Sequence, residues 1–297
     1  MKRIFGRSLC LALALSLAVI GCRPVTPAPG PFNVLATETF LADIAQNVAG
    51  DRLTVHSLLP IGLDPHAFEL TPQDRAKIAD SQVLIINGAG FESWLADILG
   101  SADGAPRVID ASVGLSAQTK RPDDPHFWLD PNLAVRYVEN IRAGLTEADP
   151  AGRESYGRNA DAYVTQLQAL DGWIREQVAQ IPPDRRLLVT NHASLGHFAD
   201  RYGFEVVGAV IPGVSTDSSP SAQQLGQLTD ALRAYGGLPI FLEIEADPRL
   251  AEQLAQDTGS DVVADLYTHS LTTADGPAPT YIAMLRHNVE IIVKALK

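Results

Sequence analysis

Four histidines of this 297-residue chain stand where an α/β protein would present ligands, at or near points where the chain leaves a predicted strand or enters a predicted helix. His66 and His126 each follow an Asp-Pro pair, and the proline stiffens the loop that carries the imidazole. His192 and His269 each come shortly after an apolar segment in the other half of the chain. Neutral imidazole is the commonest metal-binding side chain, and four ligands complete a tetrahedral zinc site. The set therefore predicts a metal centre formed by His66, His126, His192 and His269.

The three other histidines and a few neighbours have weaker claims on such a site. His56 lies within an apolar strand pattern and His287 within the terminal helix pattern, where a core or surface role is the simpler interpretation. His197, five positions after His192, would point away from it on a helix, so it either supports the site from behind or has no role. Candidates for lining the site are Glu69, Trp94 and Trp128, although ordinary core packing explains the two tryptophans equally well.

The elements that would position these residues alternate between strand and helix in both halves of the chain. The apolar run 82–87 is typical of a parallel strand buried on both faces, and Thr71-Pro72 is a helix start. One helical pattern continues from Asp149 until two prolines stop it, and the alternation begins again beyond it. We therefore predict an α/β fold of two lobes, each a mainly parallel sheet flanked by helices, joined by one long rigid helix. The predicted boundaries are 32–148 for the N-terminal lobe, 149–182 for the helix and 183–297 for the C-terminal lobe.

The N-terminus precedes this fold. Residues 1–21 have the basic start and short apolar centre of a lipoprotein signal peptide, and residues 22–31 form a proline-rich linker. Cys22 directly follows the apolar centre, as the lipid-modified cysteine of a bacterial lipobox does; an ordinary signal with an incidental cysteine is the alternative. Because cleavage would remove Cys10, no disulfide is expected. We expect an extracytoplasmic protein, lipid-anchored to the membrane, in the periplasm or at the cell surface.

The composition narrows the class of partner. A hydrophobic content of 46% with few aromatic residues fits a globular α/β protein rather than a disordered one. The formal net charge of −12 argues against a nucleic-acid partner, which would favour a basic surface.

Several motifs resemble one known family over nearly the whole mature chain. The segments are Gly62-Leu63-Asp64-Pro65-His66, Asp124-Pro125-His126, Asn191-His192, Phe241-Leu242-Glu243 and Asp275-Gly276-Pro277. In this order they resemble the zinc/manganese solute-binding lipoproteins of bacterial ABC importers. The resemblance implies two α/β lobes joined by a long helix, with a metal ion buried between them. It carries three family ligands over onto His66, His126 and His192.

The fourth family ligand differs in this chain. Many relatives have an aspartate in a short Asp-Ser-Leu segment, where this chain has His269-Ser270-Leu271, so His269 is the residue in register. A nearby carboxylate, Asp265 or Glu243, is the alternative. Four imidazoles would favour Zn²⁺ over Mn²⁺, because manganese prefers carboxylate oxygen. The short segment 115–124 lacks the histidine-rich loop of several zinc importers, so Mn²⁺ stays the second candidate.

These features predict capture rather than catalysis. The protein would be a monomer that closes a divalent metal ion between its lobes and delivers it to an ABC transporter permease, which works with its ATPase. A zinc-dependent hydrolase is one alternative, but the sequence has no His-Glu-x-x-His or Gly-x-Ser-x-Gly motif. A surface adhesin with a structural metal is the other.

Overall fold

The computed structural model of the chain describes residues 32–95 and 106–297. The predicted signal peptide, Cys22 and the proline-rich linker lie outside these ranges. The helix predicted around residues 94–99 lies only partly inside them, and its described part is a 3-10 turn at Ser93–Leu95. Among the described residues, none of the helices combines the length and the apolar character that crossing a membrane requires.

The first half of the chain forms a four-stranded parallel sheet. Its strands, in the order β2-β1-β3-β4 across the sheet, have registers that pair each neighbour in the same direction. The helices pack beside this sheet. The elements in chain order are β1 (Val34–Ala36), α1 (Thr39–Ala49), β2 (Val55–Ser57), α2 (Pro72–Ala79), β3 (Val83–Ile86), β4 (Arg107–Asp110) and α3 (Pro131–Ala148).

The second half repeats this arrangement after one long helix. The strand order β6-β5-β7-β8 is the same as in the first sheet, and all neighbours are again parallel. The predicted α/β class with two parallel sheets is therefore confirmed. The elements are the long helix α4 (Arg153–Val178), β5 (Leu187–His192), α5 (Gly196–Tyr202), β6 (Glu205–Ile211), α6 (Ala222–Ala234), β7 (Ile240–Glu243), α7 (Arg249–Thr258), β8 (Val262–Leu266) and α8 (Tyr281–Leu296).

Local sequence signals explain where several helices begin. Thr71 caps α2 by accepting a hydrogen bond from the backbone N–H of Asp74, whose side chain in turn accepts from the backbone N–H of Thr71. Ser221 and Gln224 form the same reciprocal cap at α6. These caps satisfy backbone donors that would otherwise lack partners in the first turn of each helix. The cap of α2 fixes the direction in which the chain leaves the loop that carries His66.

The long helix α4 buries one apolar face, as its three- and four-residue spacing predicts. A short 3-10 turn at Pro150–Gly152 precedes it, and the helix ends at Val178, so it is slightly shorter than the predicted 149–182. The largest hydrophobic cluster includes this face together with residues of both halves, from Val34 to Leu296. The division into lobes at 32–148 and 183–297 stays a prediction. The buried residues of α4 are Tyr156, Ala160, Tyr163, Leu167, Leu170, Ile174 and Val178.

Candidate metal centre

The four histidines that the sequence singled out lie together in a buried cluster. One nitrogen of each imidazole lies within 4.8 Å of one nitrogen of every other. The ring centroids of the six pairs are separated by 5.0–5.5 Å. All four residues are almost inaccessible, with exposed fractions of 7% for His66, 0% for His126 and His192, and 2% for His269.

Each histidine comes from the carboxyl end of a strand or from the loop that follows it. His66 lies in the loop between β2 and α2, and His126 lies just before a 3-10 turn that precedes α3. His192 is the last residue of β5, so this strand includes the histidine that was expected shortly after it, and His269 follows β8. Ligand sites of open parallel sheets lie beyond the carboxyl ends of the strands, and here two sheets bring those ends together.

The repeated Asp-Pro-His motif has the same local structure in both places. The carboxylate of Asp64 accepts a hydrogen bond from the backbone N–H of His66 at 2.9 Å, and Asp124 does the same for His126 at 3.1 Å. The intervening proline fixes the turn that allows this contact. The aspartate two positions before each histidine therefore orients the backbone that presents the imidazole.

Two buried carboxylates orient the imidazoles of His126 and His192. Asp124 Oδ1 lies 2.8 Å from His126 Nδ1, and Glu243 Oε2 lies 2.9 Å from His192 Nδ1. Because each carboxylate accepts a hydrogen bond from the Nδ1–H group, the Nε2 atom of each neutral ring keeps its lone pair for another partner. Glu243 and His192 end the neighbouring strands β7 and β5, which explains why they meet.

The lone-pair nitrogens face one another at short range. His126 Nε2 lies 3.2 Å from His192 Nε2 and 3.4 Å from His269 Nε2. His66 Nε2 is buried and has no hydrogen-bond partner among the described residues. Nitrogen lone pairs at these separations repel unless a proton or a cation lies between them. The arrangement therefore suits a positive ion bound by several imidazoles.

The electrostatic environment keeps three of the four imidazoles neutral. Burial, followed by the effect of His192, lowers the pKa of His66 to about 4. Burial also lowers the pKa values of His126 and His269 well below the usual range. Burial acts in the same direction on His192, but the charge and hydrogen bond of Glu243, together with the charges of Asp64 and Asp124, outweigh it and raise the pKa of His192. Neutral imidazole is the form that binds metal ions.

Aromatic rings enclose the cluster on one side. The ring of Phe91 contacts His66 at a centroid distance of 4.8 Å and His126 at 5.7 Å. Trp128 lies 5.1 Å from His126, and its indole N–H donates a 2.7 Å hydrogen bond to the carbonyl of Thr268, next to His269. Trp128 is therefore a packing residue that also joins two ligand loops. Phe91 could not be predicted from the sequence, because a phenylalanine after a buried strand has no distinctive pattern.

The two carboxylates considered as a fourth ligand have other positions. Glu243 contacts His192 Nδ1 and accepts a hydrogen bond from Ser194, so it orients the imidazole of His192. Asp265 is exposed and has a positive φ of 71°, at the point where the register between β7 and β8 shifts by one residue. The structure brings His269, and not Asp265, into the cluster.

Two of the weaker candidates, Trp94 and His197, contact the loops that carry the ligands. Trp94 donates a 3.0 Å hydrogen bond to the carbonyl of Pro65, beside His66. His197 is buried, and its Nε2 atom lies 2.9 Å from the carbonyl oxygen of Asp124, so it supports the loop of His126. Of the remaining candidates, Glu69 and His56 are exposed, and His287 contacts the carbonyl of Asp265.

A cavity of about 630 Å³ adjoins the cluster. Asp64 and Ala67 line it from the first half of the chain, and Thr216, Glu243 and Glu245 are among its residues from the second half. Because Glu243 also contacts His192, the cavity reaches the edge of the histidine cluster. Burial, followed by the charge of Glu243, raises the pKa of Glu245 to about 8.

The fold and the histidine cluster together define an α/β metal-binding protein with its site between two parallel sheets. Residues 34–295 match the model of the family described as zinc-uptake complex component A, periplasmic (ZnuA), and the chain belongs to this family. Relatives include substrate-binding lipoproteins of metal ABC transporters. The chain is therefore an extracytoplasmic metal-binding protein of the class that serves ABC importers.

Individual relatives bear names that refer to different metals. The manganese-binding lipoprotein MntA of Halalkalibacterium halodurans is 31% identical over 301 residues, covering 100% of this chain and 99% of that protein. The iron-binding protein YfeA of Yersinia pestis is 33% identical over 269 residues, covering 89% and 86%. The solved structure of the periplasmic zinc-binding protein TroA from Treponema pallidum has a TM-score of 0.83 and 27% identity, covering 90% and 99%.

Proposed function

We propose that this chain captures a single divalent transition metal ion, with Zn²⁺ favoured and Mn²⁺ next, and delivers it to an ABC permease. The ligands in this proposal are His66, His126, His192 and His269. The observation that carries it is the convergence of their nitrogens in a buried cluster. The metal ion is the cargo of the protein rather than a resident cofactor.

The spacing of the nitrogens supports tetrahedral coordination. Zinc–nitrogen bonds of about 2.0–2.1 Å in a tetrahedral site place neighbouring ligand nitrogens about 3.3 Å apart. The Nε2 atom of His126 lies 3.2 Å from that of His192 and 3.4 Å from that of His269. A cation could therefore be bound by these rings with little rearrangement of the side chains.

The chemistry of the donors favours zinc over manganese. All four proposed ligands are imidazoles, which suit zinc, whereas manganese prefers carboxylate and water oxygens. The nearby carboxylates of Asp124 and Glu243 contact the opposite nitrogens of the rings, so they are occupied as orienting groups. The names of relatives point to several metals, and the donor set of this chain is the reason for the preference proposed here.

We further propose that the protein is not an enzyme. A catalytic zinc site has three protein ligands and an open position for water or substrate. Four imidazoles fill a tetrahedral shell and leave no such position. The partners are a permease and its ATPase, and lipid attached to Cys22 would hold the protein, as a monomer, near that permease.

Metal competition tests both the assignment of the ligands and the proposed preference for Zn²⁺ over Mn²⁺. Purified protein lacking residues 1–21 would be titrated with Zn²⁺, Mn²⁺ and Fe²⁺ against a chelator at pH 7.5. We expect one ion per chain, tighter binding of Zn²⁺, and a His269→Asp variant whose preference moves towards Mn²⁺. His56→Asp is the matched control, because His56 is exposed on β2 and should change neither value. Tighter binding of Mn²⁺ by the unsubstituted protein would contradict the zinc proposal.

Metal uptake by cells tests the transport role. Deletion of the gene should lower the zinc content of cells grown in zinc-poor medium, and the unsubstituted gene should restore it. A His126→Ala, His192→Ala double variant should not restore it, although its export and amount are normal. Uptake that is equal with and without the gene would contradict the proposal.

A further inference from the structure

The loop of His66 is attached to the rest of the site differently from the loops of the other ligands. Residues 60–63, in the same loop before His66, are exposed, including Ile61 at 48% and Leu63 at 43%. Two hydrogen bonds connect this loop to the second half of the chain. Gly62 N–H donates to Ser270 Oγ at 2.8 Å, and Thr216 Oγ1 donates to Asp64 Oδ2 at 2.5 Å.

Each of these hydrogen bonds involves a residue next to a proposed ligand or in contact with one. Ser270 directly follows His269 in the sequence, and Asp64 is the residue that fixes the backbone N–H of His66 through its other oxygen. Thr216 belongs to the loop after β6, and that loop is tied to the residue after His192 by a 2.9 Å bond from Ala193 N–H to Gly213 O. The loop of His66 is thus fastened to both ligand segments of the second half.

The opposite side of the cluster is held by more extensive and more deeply buried contacts. Trp128, which is fully buried, donates to the carbonyl of Thr268 and accepts at its own carbonyl from the hydroxyl of Tyr281. Leu271 N–H donates to Thr39 Oγ1 at 2.8 Å. Moving His126 away from His269 would disrupt this packing, whereas separating the loop of His66 from the second half of the chain breaks the hydrogen bonds of Gly62 and Asp64.

The loop of His66 also faces the route to solvent. Asp64 and Thr216 both line the 630 Å³ cavity that adjoins the cluster, and Ala67 in the same loop is exposed. On the first-half side, the loop is fixed by the bond from Trp94 to the carbonyl of Pro65, next to His66. Displacement of the loop at its cavity side would therefore open the cluster where open space already exists.

We propose that Asp64 and Thr216, assisted by Ser270 and Gly62, form a latch that holds the loop of His66 closed and sets how fast the bound metal ion leaves. The inference rests on the proposed function, because it concerns release of the captured ion. Asp64 and Thr216 are positioning residues: they act on His66 through the loop and do not bind the metal. The hydrogen bond between them involves a charged acceptor and is half-buried, so its loss should change the opening equilibrium substantially.

Zinc release into an excess of a chromophoric chelator, followed by stopped-flow absorbance, tests the latch. Thr216→Val removes the hydroxyl at nearly constant shape and should raise the dissociation rate on the order of ten-fold. Thr216→Ser restores the hydroxyl and should return the rate to within about two-fold of the unsubstituted protein. Ser270→Ala should raise the rate independently. Thr229→Val is the matched control, because the hydroxyl of Thr229 donates its hydrogen bond within α6, to the carbonyl of Leu225.

The outcomes separate the latch from the proposed function. A protein that binds zinc one-to-one but releases it at the same rate in Thr216→Val, Ser270→Ala and Thr229→Val would overturn the latch and leave the function intact. Failure of the unsubstituted protein to bind zinc would overturn the proposed function itself. If Thr216→Ser releases zinc as fast as Thr216→Val and loses as much thermal stability, the faster release comes from a general packing defect. That result would also overturn the latch.

Discussion

Replacing Glu243 by glutamine should weaken metal binding although Glu243 is not a proposed ligand. Glu243 is 4% exposed and accepts two hydrogen bonds, from His192 Nδ1 and from Ser194 Oγ, both at 2.9 Å. A glutamine has one acceptor oxygen and an NH₂ group, so one of these donors would face another donor. The substitution also removes the negative charge that makes the imidazole of His192 a stronger base.

The expected loss of zinc affinity in Glu243→Gln follows from the role of such orienting carboxylates. Loss of a hydrogen-bonded carboxylate behind a metal-binding histidine typically lowers affinity 10- to 100-fold, which corresponds to about 1.4–2.7 kcal/mol. Chelator competition with Zn²⁺ at pH 7.5 measures this directly. Glu245→Gln is the matched control, because Glu245 lines the same cavity but its carboxylate accepts no hydrogen bond from residues 32–95 or 106–297. Its effect on affinity should stay below about three-fold. Equal affinities of Glu243→Gln and unsubstituted protein would refute this account of His192.

The same carboxylate determines how affinity depends on pH. His66 has a pKa of about 4, and the pKa values of His126 and His269 are also lowered, so these rings need lose no proton near neutral pH. The pKa of His192 is raised above 6.5, so below that raised value one proton competes with the metal. Affinity should then fall about ten-fold per pH unit. A steeper fall would mean that more than one imidazole is protonated, and Glu243→Gln should shift the onset to lower pH.

Two further predictions concern stability of the metal-free protein. The pKa of Glu245 rises from 4.5 to about 8 on folding, so the ionised carboxylate destabilises the folded protein fully above pH 8 and not at all below pH 4.5. Glu245→Gln should therefore increase the free energy of unfolding at pH 9 by up to roughly 5 kcal/mol. Urea denaturation should show this increase at pH 9 and no increase at pH 4. Trp128→Phe loses the buried bond to Thr268 and some packing, and should lower the free energy of unfolding by about 2–3 kcal/mol. The half-buried Trp173→Phe should cost less, and equal losses would contradict the special position of Trp128.

The sequence predicted the elements well because their signals are local. The apolar run that became β3, the capped start of α2 at Thr71 and the amphipathic face of α4 all depend on residues within one or two turns of each other. The positions of the four histidines at strand ends also followed from these elements. Their convergence is expected because the strand ends of two parallel sheets can face one another, and the resemblance to a known family implies the same site.

The contacts that orient the site were less accessible to sequence reasoning because they join distant residues. Glu243 was considered as a ligand, and only the pairing of β5 with β7 shows that it contacts the far side of the His192 ring. The bond between Asp64 and Thr216 spans 152 positions and has no sequence signature. Asp124, in contrast, could have been recognised, because an acceptor two residues before a histidine can bond both its backbone and its ring.

Zinc K-edge X-ray absorption of the protein loaded with one equivalent of Zn²⁺ at pH 7.5 tests the central claim most directly. If His66, His126, His192 and His269 bind the ion, the spectrum will require four nitrogen neighbours at about 2.0–2.1 Å, with the outer-shell scattering of four imidazoles. A His66→Ala variant should lose one imidazole and gain a lighter ligand such as water. A spectrum of the unsubstituted protein that fits two or fewer imidazoles, or that requires carboxylate oxygen in the first shell, would contradict the four-histidine site.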